Sequence, residues 1–192
     1  MSSPAIVSQR CDVLREGLVE LESSAFLIEQ WAVNLMDAVA RGGKILVAGN
    51  GGSAALAAHF TGELLGRYAR ERPPLPAVWL GADQAALTAI ANDYEYADVF
   101  ARQLTALARP DDIFIALSTS GESRNLVRAA EASAAVGCES WAMTGPVPNT
   151  LATVCDNVLV FRGPTAVVQE VQQIAVHLIC EVIDNLVLGS AT

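Results

Sequence analysis

Five short apolar runs, separated by stretches of helical periodicity, constrain this chain more than any other feature. The runs are Lys44–Ala48, Ala77–Leu80, Ile113–Leu117, Ser140–Met143 and Asn157–Phe161. Each has the length and continuity of a strand buried on both faces of a parallel sheet. Helical segments fall at 53–68, 84–107 and 122–136, and a long helix over 165–188 closes the chain. Strands alternating with helices predict an α/β fold, a three-layer α/β/α sandwich around a five-stranded parallel sheet. Two helices precede the first strand. Ile6, Val13, Leu14, Leu18 and Leu21 recur at helical spacing, as do Phe26, Leu27, Trp31, Leu35, Met36 and Val39. Arg41-Gly42-Gly43 ends the second. The 192 residues suit one domain, with a helical hairpin over 1–41 and an α/β core over 42–190.

Ligands of such sheets sit at the carboxyl ends of the strands, so the residues just after each strand carry the functional information. Gly49-Asn50-Gly51-Gly52-Ser53 follows the first run. Its glycines let a ligand approach the backbone, and the next helix offers free N–H groups. It has neither the dinucleotide-binding glycine spacing nor the lysine of a nucleotide phosphate loop, so no nucleotide cofactor is expected. A plain glycine turn with Ser53 as helix cap remains an alternative. Ser118-Thr119-Ser120-Gly121-Glu122-Ser123 follows the third run. Four hydroxyls at a strand-to-helix turn are suited to a small anion such as phosphate.

Charge narrows the ligand class. The chain carries 12 Lys and Arg against 21 Asp and Glu, a net charge of -9. Nucleic acid is therefore not an expected partner, and a phosphorylated ligand needs a local, backbone-built site. The hydrophobic content is 52%, which we read as extensive burial, part of it between subunits, since no uncharged apolar stretch is long enough to span a membrane. The start of the chain lacks the basic-then-apolar order of an export signal, so a cytoplasmic protein is expected. Cys11, Cys138, Cys155 and Cys180 are scattered and read as free thiols.

Only two histidines occur, and both sit in helical segments. His59 and Glu63 are four apart and share a face. His177 lies on the last helix, eight residues after Gln169. Two imidazoles, a carboxylate and an amide can hold a metal ion or exchange protons. His177 as an ordinary core residue is the competing reading.

The segments GNGGSAALAAHFTGELLGRY, ERPPLPAV, LTAIANDYEYADVFARQ, ALSTSGESRNLVRA and VVQEVQQIAVHLICEVID together resemble the phosphoheptose isomerase family of sugar isomerase (SIS) domain proteins. The resemblance implies a flavodoxin-like SIS fold and conversion of sedoheptulose 7-phosphate to D-glycero-D-manno-heptose 7-phosphate through an enediol. It implies a homotetramer with active sites between subunits, the N-terminal hairpin serving assembly. It implies phosphate binding by Ser53, Ser118, Thr119, Ser120 and Ser123. Sugar contacts then fall to Asn50, Gly51, Gly52, Arg67, Asn92 and Asp93. Zinc ligation falls to His59, Glu63, Gln169 and His177, with Glu63 and His177 as the acid/base pair and Gln169 also near the substrate. Three positions depart from the family pattern: Leu56 replaces an Asp, Glu122 replaces an Asn, and Pro146-Val147-Pro148 replaces a glycine-rich turn. A carboxylate at Glu122 is compatible with phosphate only if it points away or pairs with Arg124 or Arg128. The same domain also occurs as a scaffold that binds the replication initiator DnaA and as a sugar-phosphate-binding regulator. The scaffold relative lacks the Glu and the second His that this chain keeps.

Overall fold

The computed structural model describes residues 3–189. Residues 1, 2 and 190–192, including the last residue assigned to the core, lie outside the described residues. Five strands, β1 (Ile45–Gly49), β2 (Ala77–Trp79), β3 (Ile113–Ser118), β4 (Glu139–Thr144) and β5 (Asn157–Val160), form one parallel sheet in the order β2-β1-β3-β4-β5. The helices are α1 (Ser3–Ser23), α2 (Ala25–Ala40), α3 (Gly52–Leu65), α4 (Gln84–Asp93), α5 (Val99–Leu107), α6 (Arg124–Ala135), α7 (Leu151–Val154) and α8 (Thr165–Leu188).

The three central strands are buried on both sides, the edge strands β2 and β5 are half-buried, and side chains alternate between two apolar layers. Ile45, Val47, Ile115, Leu117, Trp141 and Met143 face the layer formed with α2, α3 and α8. Leu46, Ala48, Phe114, Ala116 and Ala142 face the layer formed with α5 and α6. Trp31 of α2 packs against Trp141 of β4 with ring centroids 4.7 Å apart and planes tilted by 46°, so the N-terminal hairpin contributes directly to the first layer. The α8 helix is apolar enough, at a mean hydropathy of 1.4, to suit a bilayer by composition. Here it is a core helix, with Val168, Val171, Ala175, Val176, Ile179 and Ile183 packed under the sheet.

Two of the expected helices change shape. The expected helix over 84–107 is broken. It ends at Asp93, passes through a short 3-10 turn at Tyr96–Asp98 and restarts as α5. Asp83 caps its start by accepting from the Ala86 N–H, and Tyr94 leaves helical geometry at φ -127°, ψ -115°. The helix expected over 53–68 stops at Leu65, because Gly66 departs from helical geometry at φ -87°, ψ -115°. Arg67 therefore lies in the loop beyond it.

Strand order reverses between β1 and β3, and in an open parallel sheet that switch point is where a crevice opens. Register places Gly49 beside Leu117. The glycine turn and the hydroxyl-rich turn thus emerge side by side.

Candidate active site

The hydroxyl-rich turn is built as much from its own side chains as for a ligand. The Ser118 hydroxyl accepts from the Gly121 N–H at 3.0 Å, and the Ser120 hydroxyl accepts from the Glu122 N–H at 3.2 Å. Two of the four hydroxyls therefore shape the turn. Ser123 is the N-cap residue of α6, and its hydroxyl makes no capping bond among the described residues. It and Thr119 are partly exposed, Ser120 is exposed and Ser118 is buried.

The loop after β4 clamps this turn from below. Gly121 has φ +69°, and a Cβ there would strike the Asn149 side chain. Gly145 fits only because its missing Cβ leaves room for the Thr119 carbonyl. The Leu151 N–H donates to the Gly121 carbonyl at 3.0 Å. Glu122 points away from the turn. Its carboxylate accepts from the Thr150 N–H at 3.0 Å and from the Thr150 hydroxyl at 2.6 Å. Of the two arrangements compatible with phosphate, the structure has the one in which Glu122 points away, not the pairing with Arg124 or Arg128. Arg128 instead holds Asp98 at 2.7 Å and Glu95 at 3.0 Å. The proline loop and the Glu122 departure thus belong to one bracing device.

In the glycine turn the helix cap is Gly51 at φ +55°, and Ser53 is buried inside the first turn. Asn50 exchanges paired amide bonds of 2.9 Å with buried Asn125, and its oxygen also accepts from the Tyr96 hydroxyl at 3.0 Å. Asn92 and Asp93 are exposed at the end of α4 and bond each other. Tyr96, three residues on, is the part of that segment that reaches Asn50. Asn50, Glu95, Tyr96, Ser123, Arg124 and Asn125 line a cavity of about 420 Å³, and Asn92 and Asp93 lie outside its lining. Exposed Arg67 pairs with Glu71 at 3.7 Å.

On the first-layer side, α3 and α8 bring the titratable residues together. His59 Nε2 lies 2.8 Å from His177 Nε2 and 3.5 Å from Glu63 Oε1. Ligand atoms of His59, Glu63 and His177 all fall within 4.8 Å of one another, so the three can hold a metal ion. Two imidazole nitrogens and a carboxylate are a zinc donor set. His177 is thus not a plain core residue. Gln173, one turn before it, reaches its Nε2 at 2.9 Å. Sequence reasoning missed Gln173, although its four-residue spacing from His177 was the available signal. Gln169 sits against Gly52, where any Cβ would collide with its amide. A groove of about 600 Å³ runs from Gly52 past Ala55, Leu56 and Gln169 to Gln173, with Leu14, Glu170 and Ile174 completing its lining.

Two neighbours are held protonated. Burial first, then the Glu63 carboxylate, pushes the Cys180 thiol up to about 12, which removes thiolate chemistry beside the cluster. Burial, followed by Glu181, raises the Tyr68 phenol, whose ring lies 5.5 Å from that of His177.

Comparison with known proteins places this geometry. A SIS domain family model matches residues 11–145. The phosphoheptose isomerase of Streptomyces coelicolor is 47% identical over 182 residues, covering 94% of this chain and 78% of that protein. That of Thiobacillus denitrificans is 45% identical over 166 residues, 84% of each chain. The structure of a phosphoheptose isomerase from Francisella tularensis superposes with a TM-score of 0.89 at 34% identity, covering 96% of this chain and all of that one. With its sheet order, its paired loops at the switch point and these relatives, the chain belongs to the phosphoheptose isomerase family of SIS-domain proteins.

Proposed function

We propose that this chain is an aldose–ketose isomerase that converts sedoheptulose 7-phosphate to D-glycero-D-manno-heptose 7-phosphate. The observation that carries the reading is the meeting of His59, Glu63 and His177 within 4.8 Å of one another, partly on a helix that starts at the glycine turn, which emerges beside the anion-suited turn. A phosphorylated open-chain sugar needs both ends of such a site.

Phosphate is held by Thr119, Ser120 and Ser123 and by free N–H groups at the start of α6, with Ser118 shaping the turn and Ser53 lying under it. Asn50, Gly51, Gly52 and Gln169 line the path of the sugar chain, and Arg67 from its loop and Asn92 and Asp93 from the end of α4 contact it. Glu63 takes a proton from carbon 1 of the ketose and returns it to carbon 2 of the enediol. His177 moves the hydroxyl proton from the oxygen of carbon 1 to that of carbon 2. The net result is a carbonyl at carbon 1 and a hydroxyl at carbon 2, with no change in atoms or electrons. His59, Glu63 and His177, with Gln169 implied as the fourth ligand, suit zinc. When bound, zinc supplies Lewis-acid polarisation of the substrate carbonyl. The rest of the proton traffic falls to Glu63 and His177.

We infer further that the active unit is a homotetramer with sites between subunits. A groove of about 400 Å³ between α1, α2 and α8 supports self-association, because it is lined by Leu18, Leu21, Ile28, Leu178 and Val182. Light scattering tests this, and a monomer at working concentration would overturn it. We place the reaction in the cytoplasm, in keeping with four free thiols. A DnaA scaffold or regulator needs neither Glu63 nor His177, and their convergence favours the enzyme.

Incubation with sedoheptulose 7-phosphate in deuterated water tests the reaction. The expected product is the aldose carrying deuterium at carbon 2 whenever the enediol exchanges with solvent. Absence of any aldose from folded protein supplied with zinc would overturn the reading.

A further inference from the structure

Every α-helix leaves its last carbonyls without helical partners. At the end of α3 the Gly62 carbonyl takes the Gly66 N–H, and the carbonyls of Glu63 and Leu64 are met by one buried guanidinium from the following loop. Arg72 Nη2 donates to the Glu63 carbonyl at 2.7 Å, and Nη1 donates to the carbonyls of Leu64 at 3.0 Å and Pro73 at 3.1 Å. Arg72 Nε donates to Asp184 Oδ1 at 2.9 Å. The other Asp184 oxygen accepts from the N–H groups of Ala69 at 3.2 Å and Arg70 at 3.0 Å. The side chains of Arg72 and Asp184 are 0% and 2% exposed. One ion pair thus fastens the end of α3, the loop beyond it and α8.

Its location ties it to the cluster. Glu63 supplies the carboxylate, and its own backbone carbonyl is one of the groups Arg72 grips. Asp184 follows His177 by seven residues, two turns along the same face of α8 and about 10 Å along its axis. Stability alone does not require such a pair. Burying two charges costs several kcal/mol, and apolar residues of similar volume often stabilise a core equally well. What an apolar pair cannot do is grip three carbonyls and a carboxylate at once, with the planar fork that only arginine offers.

We propose that Arg72 and Asp184 are positioning residues that set the separation between the Glu63 carboxylate on α3 and the His177 imidazole on α8. The proposal rests on Glu63 and His177 being the acid/base pair.

The test compares the wild type with Arg72→Met/Asp184→Leu, in which the charges leave together, and with Arg72→Lys, which keeps the charge but loses the fork. Thermal unfolding, kcat, KM and histidine-selective nitrogen NMR are measured. The two histidines of the chain are both in the cluster, so the imidazole spectrum reports that cluster alone. The double variant is expected to unfold cooperatively, to lose at least about tenfold in kcat with KM within about threefold, and to shift both imidazole signals. Arg72→Lys is expected to lose less kcat with the same signature. A cooperatively folded double variant with kcat within about twofold of wild type and superimposable imidazole signals would overturn the proposal. If the double variant does not fold, the same two outcomes are read from Arg72→Lys. If the wild type itself turns over no heptulose phosphate, the functional reading fails, and the imidazole signals alone decide whether the pair positions the cluster.

Discussion

The hydroxyl-rich turn and the imidazole–carboxylate cluster are held in opposite ways. The turn is fixed locally. Ser118 and Ser120 bond its own backbone, and Gly121, Gly145, Asn149 and the Glu122–Thr150 pair lock it to the next loop. The cluster is fixed at long range, since His59 and His177 are 118 residues apart and meet only because α3 and α8 dock. An anion site built from backbone gains from being rigid before its ligand arrives. A proton-transfer site needs groups from separate elements brought to one point, and its precision depends on the packing between them.

The sharpest way to break this contrast is Glu63→Gln. It should lower kcat by roughly 10²- to 10⁴-fold and leave phosphate inhibition unchanged, because only the cluster is altered. Turnover within tenfold of wild type would remove Glu63 from the acid/base role. Gln173→Met should strengthen zinc binding by about tenfold in a competition titration, with KM little changed, since the amide donates to His177 Nε2, whose lone pair the ion would otherwise take. Unchanged zinc affinity would reduce Gln173 to a surface contact. On the other side of the contrast, Ser123→Ala should raise KM by about tenfold at nearly constant kcat, the cost of about one bond to a charged phosphate. A fall in kcat with constant KM would show that the turn also participates in the chemistry. The smallest effect is expected for Glu122→Gln, which should cost about 0.5–1 kcal/mol in denaturant unfolding and move KM by less than about twofold. A tenfold drop in KM would mean that the carboxylate repels phosphate after all.

Much of the fold was legible because the strands are uniform apolar runs and the ligand edge of a parallel sheet follows from topology. The α8 bounds also agree with periodicity, from Thr165 to Leu188. The break after Asp93 was not legible, because Ala85–Ala91 and Val99–Leu107 both carry helical residues and no proline or glycine separates them. In the site, the types of residue were readable and their partners were not. Nothing local distinguishes Gln173 from Gln169 as the amide on His177, since both lie at helical spacing from it. Nor does the sequence pair Glu122 with Thr150, a contact made across the top of the sheet. That the oxygens of Ser118 and Ser120 also accept from the backbone of the turn was not legible either, since it depends on the chain folding back on itself.

The tilted contact of the Trp31 and Trp141 rings carries a practical consequence. One belongs to the N-terminal hairpin and the other to the middle of the sheet, and both are almost entirely buried. Any event that lifts the hairpin must therefore hydrate two indoles together and uncouple their transitions. The molecule so contains an optical gauge for hairpin docking, readable by near-ultraviolet circular dichroism without a label. Read alongside light scattering across a dilution series, that gauge distinguishes subunits that separate intact from subunits that loosen as they part.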